Sequence, residues 1–168
     1  MNVFMSAGEK GLEKFKYITY NITGSGAEPS LYMPVLVRIL EYYNRVFHPQ
    51  VKEMTEEAPT VKLYSNGYNL TEKNIDKLAE LGVTELRINV AALNFSDEIY
   101  KRVEYATKRI PLVTFEVAVY PPYKNKLFEM VDIAEQVGVK HISWCQLKIY
   151  EREVFEKLKK FESLKNYN

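Results

Sequence analysis

Apolar residues recur along this chain in two rhythms, period two over short runs and period three to four over longer ones. Lys16–Ile22 (KYITYNI) is β-branched and aromatic, reads as a first strand, and leads through Thr23 into GSGAEPS. Leu31–Phe47 carries apolar residues at helical spacing, and Pro34 is acceptable there because it falls in the first turn. A polar stretch, His48–Pro59, leads to a second strand at Thr60–Tyr64. Thr71 is the expected N-cap of a helix over NIDKLAEL, which Gly82 ends as a left-handed residue. Val83–Val90 alternates as a third strand, and Ser96 with Asp97 and Glu98 opens a helix to about Lys108. Leu112–Val119 is a fourth strand, closed by Pro121-Pro122. Asn125–Val137 is a helix ended by Gly138, and Val139–Leu147 a fifth strand. A charged helix from about Glu151 to Leu164 completes the pattern.

An internal echo supports this reading. DKLAELGVTELRINV and VDIAEQVGVKHISWC share a helix end, a Gly-Val junction and a strand. Successive strand–helix units of this kind build a parallel sheet with crossover helices. Strand order is not encoded in the pattern, so part of a barrel and a doubly wound sheet both satisfy it. Residues 16–168 form the expected domain, with residues 1–15 a lead-in that is partly helical or disordered.

Composition narrows the function. The 168 residues are 46% hydrophobic and 27% charged, with 23 basic and 22 acidic side chains and a net charge of +1. No long-range field draws nucleic acid or an anionic membrane, so neither is an expected partner. No apolar run approaches the roughly 18 residues of a transmembrane helix. The start, MNVFMSAGEKGLEKF, carries charges where a signal peptide is apolar. A cytoplasmic location is the default expectation. Cys145 is the single cysteine, which excludes an intrachain disulfide and a site of several thiolates. The 13 tyrosines are dispersed and make no stacking platform by themselves.

In parallel barrels, function gathers at the C-terminal ends of strands. That rule selects Thr23 to Glu28 after the first strand and Ser65-Asn66-Gly67 after the second. It adds Arg87 and Asn89 from the third strand, Glu116 and the Tyr120-Pro-Pro turn from the fourth, and Gln146 and Lys148 from the fifth. In GSGAEP the glycines let backbone N–H groups approach a ligand, and Glu28 is placed to accept from a ligand ammonium. The alternative is a plain strand-to-helix turn in which Glu28 complements the helix start. The segment is neither a Walker loop nor GxGxxG, since Pro29 stands where the third glycine would fall. Ser65-Asn66-Gly67 is a turn or a ligand contact. Glu116, inside an apolar strand, needs a partner, and Arg87 is the candidate; an ion pair and a ligand role are both open. Asn89 and Gln146 are inner-face hydrogen-bonding residues or cofactor contacts. His48 and His141 make no metal pair by spacing. Cys145 reads as a small buried hydrophobe, and Lys62 or Lys148 as a remote Schiff-base candidate.

Three pieces in this order resemble the radical S-adenosylmethionine superfamily. YITYNITGSGAEPSLY is similar to its second strand and Gly-Gly-Glu-Pro segment. KLYSNGYNLTEKNIDKLAELGVTELRINV is similar to its third strand, Asn-Gly turn, helix and fourth strand. VTFEVAVYPPYKN with GVKHISWCQL resembles the fifth and sixth strands. The likeness, closest to proteins related to pyruvate formate-lyase-activating enzymes, covers residues 16 to 150. It implies an α/β fold that is a partial (β/α) TIM-type barrel, with about five parallel strands present and helices outside. It also implies S-adenosylmethionine as cofactor, held by Gly26, Ala27 and Glu28, with Ala27 replacing the family's second glycine. Asn66, Asn89 and Glu116 are the further cofactor contacts it suggests. The family's [4Fe–4S] cluster is bound by CxxxCxxC, which this sequence lacks. The resemblance therefore implies a fragment of a radical enzyme, silent as given, whose cluster belongs to a full-length parent. A cluster-free S-adenosylmethionine-binding or scaffold domain, or an unrelated barrel lyase or isomerase holding a phosphate, are the alternatives. The substrate, small molecule or protein, is unspecified. The open sheet edge left without the family's first strand favours a homo-oligomer.

Overall fold

The structure is a computed structural model that describes residues 17–23, 28–147 and 151–158. Five strands, β1 (Thr19–Ile22), β2 (Thr60–Ser65), β3 (Glu85–Ile88), β4 (Leu112–Val119) and β5 (His141–Gln146), form one sheet. Their spatial order follows the chain, and each neighbouring pair is parallel. That order decides between the two topologies the periodicity allows. Right-handed crossovers between strands laid down in sequence place every connecting helix on the same side. A doubly wound sheet needs a reversal of strand order, and none occurs among these strands. The fold is α/β with helices along one side of an all-parallel sheet, as in a partial (β/α) barrel.

The helices are α1 (Met33–Tyr42), α2 (His48–Met54), α3 (Glu72–Glu80), α4 (Asp97–Thr107), α5 (Lys124–Gln136) and α6 (Arg152–Leu158). Successive strand residues face opposite sides. On the helix side Val61, Leu63, Leu86, Ile88, Val113, Phe115 and Val117 are buried. Leu36 and Leu40 of α1, Ile75 and Leu78 of α3, Ile99 and Val103 of α4, and Leu127 and Met130 of α5 join them in one cluster. Thr71 caps α3 as expected, its Oγ1 accepting from the Asn74 amide at 3.3 Å. Gly82 and Gly138, the glycines of the internal echo, both have a φ of 81°.

β1 and β5 are shorter than Lys16–Ile22 and Val139–Leu147, and two further boundaries differ from expectation for a local reason. The helix expected over Leu31–Phe47 is split into a 3₁₀ turn (Pro29–Tyr32), α1, a π-helical turn (Tyr43–Phe47) and α2. Helix continues to Met54 through what reads as a polar connection. Pro49 lacks an N–H and its ring crowds the carbonyl of Arg45, so the widened turn just before it lets the chain stay helical. The third strand is shorter than Val83–Val90, because Asn89 caps a 3₁₀ turn over Val90–Leu93. The lead-in, Lys16 and the end of the last helix beyond Leu158 lie outside the described residues.

Candidate functional site

The loop after β1 is fixed by one carboxylate. Glu28 is buried, and its Oε1 accepts from the Ser30 amide at 2.9 Å and from Ser65 Oγ at 2.6 Å. Its Oε2 accepts from the Asn66 amide at 2.6 Å. Glu28 thus caps the 3₁₀ turn, and it also lines a cleft. A carboxylate offers about four acceptor positions, so three protein donors leave capacity for one more at Oε2. The Asn66 side chain folds back to accept from the Tyr68 amide at 2.9 Å. The Asn69 side-chain amide donates to the Ser30 carbonyl at 2.7 Å. From α4, Arg102 donates to the carbonyls of Gly67 at 2.8 Å and Tyr68 at 2.7 Å. The loops after β1 and β2 are therefore stitched into one floor.

The wall of the cleft is a ladder of charges across the polar side of the sheet. Lys62 on β2 lies 2.9 Å from Glu85 on β3. Arg87 bridges, with Nε 2.7 Å from Glu85 and Nη1 2.8 Å from Glu116 on β4. Thr114 Oγ1 donates to Glu85 at 3.1 Å, and the Arg87 guanidinium lies over the Tyr64 ring at 5.4 Å. Burial pushes the Glu85 pKa up, but hydrogen bonds and charge from Lys62 and Arg87 outweigh it and hold the carboxyl below its ordinary value. Burial opposes the charge on Arg87, and its hydrogen bonds to Glu116 and Glu85 more than restore it. The ion pair expected between Arg87 and Glu116 is present. Lys62 is committed to Glu85 rather than poised as a free amine.

Above this ladder opens a cleft of about 520 Å³. Thr23 and Glu28 line it after β1, Tyr64, Ser65 and Asn66 at the end of β2, and Arg87 and Asn89 from β3. Glu116 and Ala118 on β4 and Cys145 on β5 close it. Glu28, Asn66, Asn89 and Glu116, four of the candidate cofactor contacts, are thus brought together. Gly26 and Ala27 lie outside the described residues, as does Lys148. Asn89 spends its Oδ1 on the Ala91 amide at 3.2 Å, and its backbone donates to the Ser65 carbonyl at 2.9 Å.

Two expectations change. Gln146 pairs in register with Val119, one residue beyond Ala118 and Cys145, so it falls on the opposite side of the sheet and does not line the cleft. Cys145 is a half-buried cleft residue rather than a hydrophobe in the core, because its register partner is Ala118 on the polar side. Its Sγ donates to Glu116 Oε1 at 3.6 Å. Burial, and then the charge and hydrogen bond of Glu116, push the thiol pKa up and keep it protonated, the reverse of nucleophile activation. Sequence reasoning also missed Lys62 and Glu85 as partners. The signal was available: Lys62 and Tyr64, Glu85 and Arg87, and Thr114 and Glu116 each repeat at period two.

No protein-family model matches the chain, and no curated protein matches it.

Proposed function

We propose that the polar cleft is a binding site for S-adenosylmethionine, and that the chain is the cofactor-holding part of a radical S-adenosylmethionine barrel. The observation that supports this most is the placement of Glu28. The residue that corresponds to the family's ammonium-binding glutamate faces a cleft at the C-terminal strand ends, with acceptor capacity remaining. The opposite wall offers what the rest of an amino-acid moiety and a ribose need. Arg87, although paired with Glu85 and Glu116, keeps guanidinium N–H donors for a carboxylate, and Asn89 and Glu116 supply hydrogen-bonding groups for hydroxyls. Bound there, the cofactor would supply a sulfonium whose reductive cleavage yields a carbon radical. The residues of this chain would position it.

The cluster does not fit. A [4Fe–4S] centre that leaves one iron open to the cofactor takes three thiolates, whereas the chain has one cysteine. Among the described residues no group of three His, Cys, Asp or Glu side chains is placed to hold a metal. As it stands, the chain has a cradle without cluster ligands.

Titration calorimetry with S-adenosylmethionine tests the proposal. Saturable binding is expected, weakened at least about tenfold, some 1.4 kcal/mol, in Glu116→Gln. No heat from a chain whose circular dichroism shows it folded would remove the proposal. Protection by inorganic phosphate instead would favour a barrel lyase or isomerase.

A further inference from the structure

The cleft floor is held from behind by a side chain that does not line it. Arg102 lies on α4, the helix after β3, and its guanidinium reaches across to the turn after β2. Nη1 donates to the Gly67 carbonyl at 2.8 Å and to the Tyr68 carbonyl at 2.7 Å, while Nη2 meets Glu98 one turn back on the same helix. Ile99, three residues before Arg102 and on the same face of α4, fills the space that a β-carbon on Gly67 would enter. α4 therefore grips this turn at two points. Packing alone does not ask for the second one. The helix already has Ile99, Tyr100, Val103 and Ala106 buried. The pair with Glu98, whose side chain is 73% exposed, is of a kind that contributes little.

The two carbonyl bonds set the direction of the groups that meet Glu28. The Gly67 carbonyl and the Tyr68 amide belong to one planar trans peptide, so turning the carbonyl onto Arg102 turns the N–H the other way. That N–H donates to Asn66 Oδ1 at 2.9 Å. The Gly67 amide donates to Ser65 Oγ at 3.0 Å, and the Ser65 hydroxyl in turn gives its proton to Glu28 Oε1 at 2.6 Å. Between them the Asn66 amide donates to Glu28 Oε2 at 2.6 Å. We propose that Arg102 is a positioning residue for the cleft. Without touching a ligand, it holds the Ser65–Tyr68 turn so that Glu28 takes two donors from it and presents its remaining acceptor capacity in one fixed direction. The consequence for affinity rests on the reading of the cleft as a site for S-adenosylmethionine; the consequence for the turn does not.

Amide hydrogen exchange read by NMR on the free chain tests the turn, and calorimetry with S-adenosylmethionine tests the cleft. Arg102→Ala should speed exchange at Asn66, Gly67 and Tyr68 about tenfold more than at the core amides of Leu86 and Phe115. Arg102→Lys keeps an N–H donor for the carbonyls and should restore much of that protection. Glu98→Gln removes the ion pair but not the carbonyl bonds, so the three amides should stay as slow as in the unaltered chain. Affinity should follow the same order, with Kd about tenfold higher in Arg102→Ala. Exchange that rises equally in turn and core would make Arg102 an ordinary stabilising residue and overturn the proposal. So would a turn still protected in Arg102→Ala, a Glu98→Gln variant that matches it, or a loosened turn that leaves affinity intact. If the unaltered chain binds no S-adenosylmethionine, the reading of the cleft falls, and the exchange comparison still decides the role of Arg102.

Discussion

Helix-side positions of the sheet carry Leu63, Leu86, Ile88 and Phe115, each fully buried, whereas alternate positions of the same strands carry Lys62, Glu85, Arg87 and Glu116. Neighbouring residues on one backbone thus meet opposite environments. Parallel sheets covered by helices on both sides need apolar residues at every position. This one has helices along one side, so only half of its positions must be apolar. The other half is free to hold charges, provided that they are paired. The comparison separates two kinds of contribution: packing on the helix side makes the fold, and the charge ladder on the other shapes a site.

The largest expected effect follows from removing a helix-side anchor. Phe115→Ala deletes a fully buried ring and should cost about 3–5 kcal/mol. Urea denaturation should show the midpoint falling with an unchanged slope. A loss below about 1 kcal/mol would mean that the core is not concentrated on this side. Opposite it, Glu85→Gln removes the charge that Lys62 and Arg87 share. Breaking a deeply buried pair costs about 3–5 kcal/mol, but both cations here retain some solvent contact, so about 2–3 kcal/mol is expected. The same denaturation experiment measures it. If Glu85→Gln proved as costly as Phe115→Ala, the division between fold-making and site-shaping faces would fail.

Gly67 stands where the two regions meet. Its amide donates to Ser65 Oγ at 3.0 Å on the cleft floor, while its φ of 79° turns its α-carbon toward Ile99 of the core. A methyl group there runs into Ile99 Cδ1 and adopts a backbone conformation that side chains disfavour. Gly67→Ala should therefore cost about 1–2 kcal/mol and also weaken any cleft ligand. Paired denaturation and calorimetry check both halves; a loss of stability with intact binding would show that the floor tolerates displacement.

The helix side was legible in the chain because it obeys simple periodicity. Thr71, Gly82 and Gly138 marked helix ends by their own chemistry, and Leu112–Val119 is matched residue for residue by β4. The candidate site was half legible. Glu28 stood out by its glycine-rich loop and Glu116 as a carboxylate in an apolar strand, and both lie on the cleft. That Glu28 binds Ser65 and Asn66 depends on two strands being neighbours, and strand order has no local signature. The helical continuation to Met54 was not legible because His48–Pro59 reads as a polar connection, and the widened turn at Tyr43–Phe47 that accommodates Pro49 has no local signature.

The smallest expected effect is a pH dependence confined to the charge ladder. Lys62 and Arg87 hold the folded-state pKa of Glu85 below its ordinary value, against the pull of burial. A depressed carboxyl contributes stability that is fully present above its unfolded pKa, about 4.3, and is lost as pH falls through the lower folded value. The stability curve should therefore be flat for this group at neutral pH and bend downward in acid. Glu85→Gln has no carboxyl at this position and should lose that part of the bend, while Phe115→Ala should shift the whole curve without changing its shape. Denaturation midpoints measured from neutral pH into the acid limb read the difference. An acid limb identical in Glu85→Gln and the unaltered chain would mean that the ladder contributes no proton-linked stability, and that its charges serve the cleft alone.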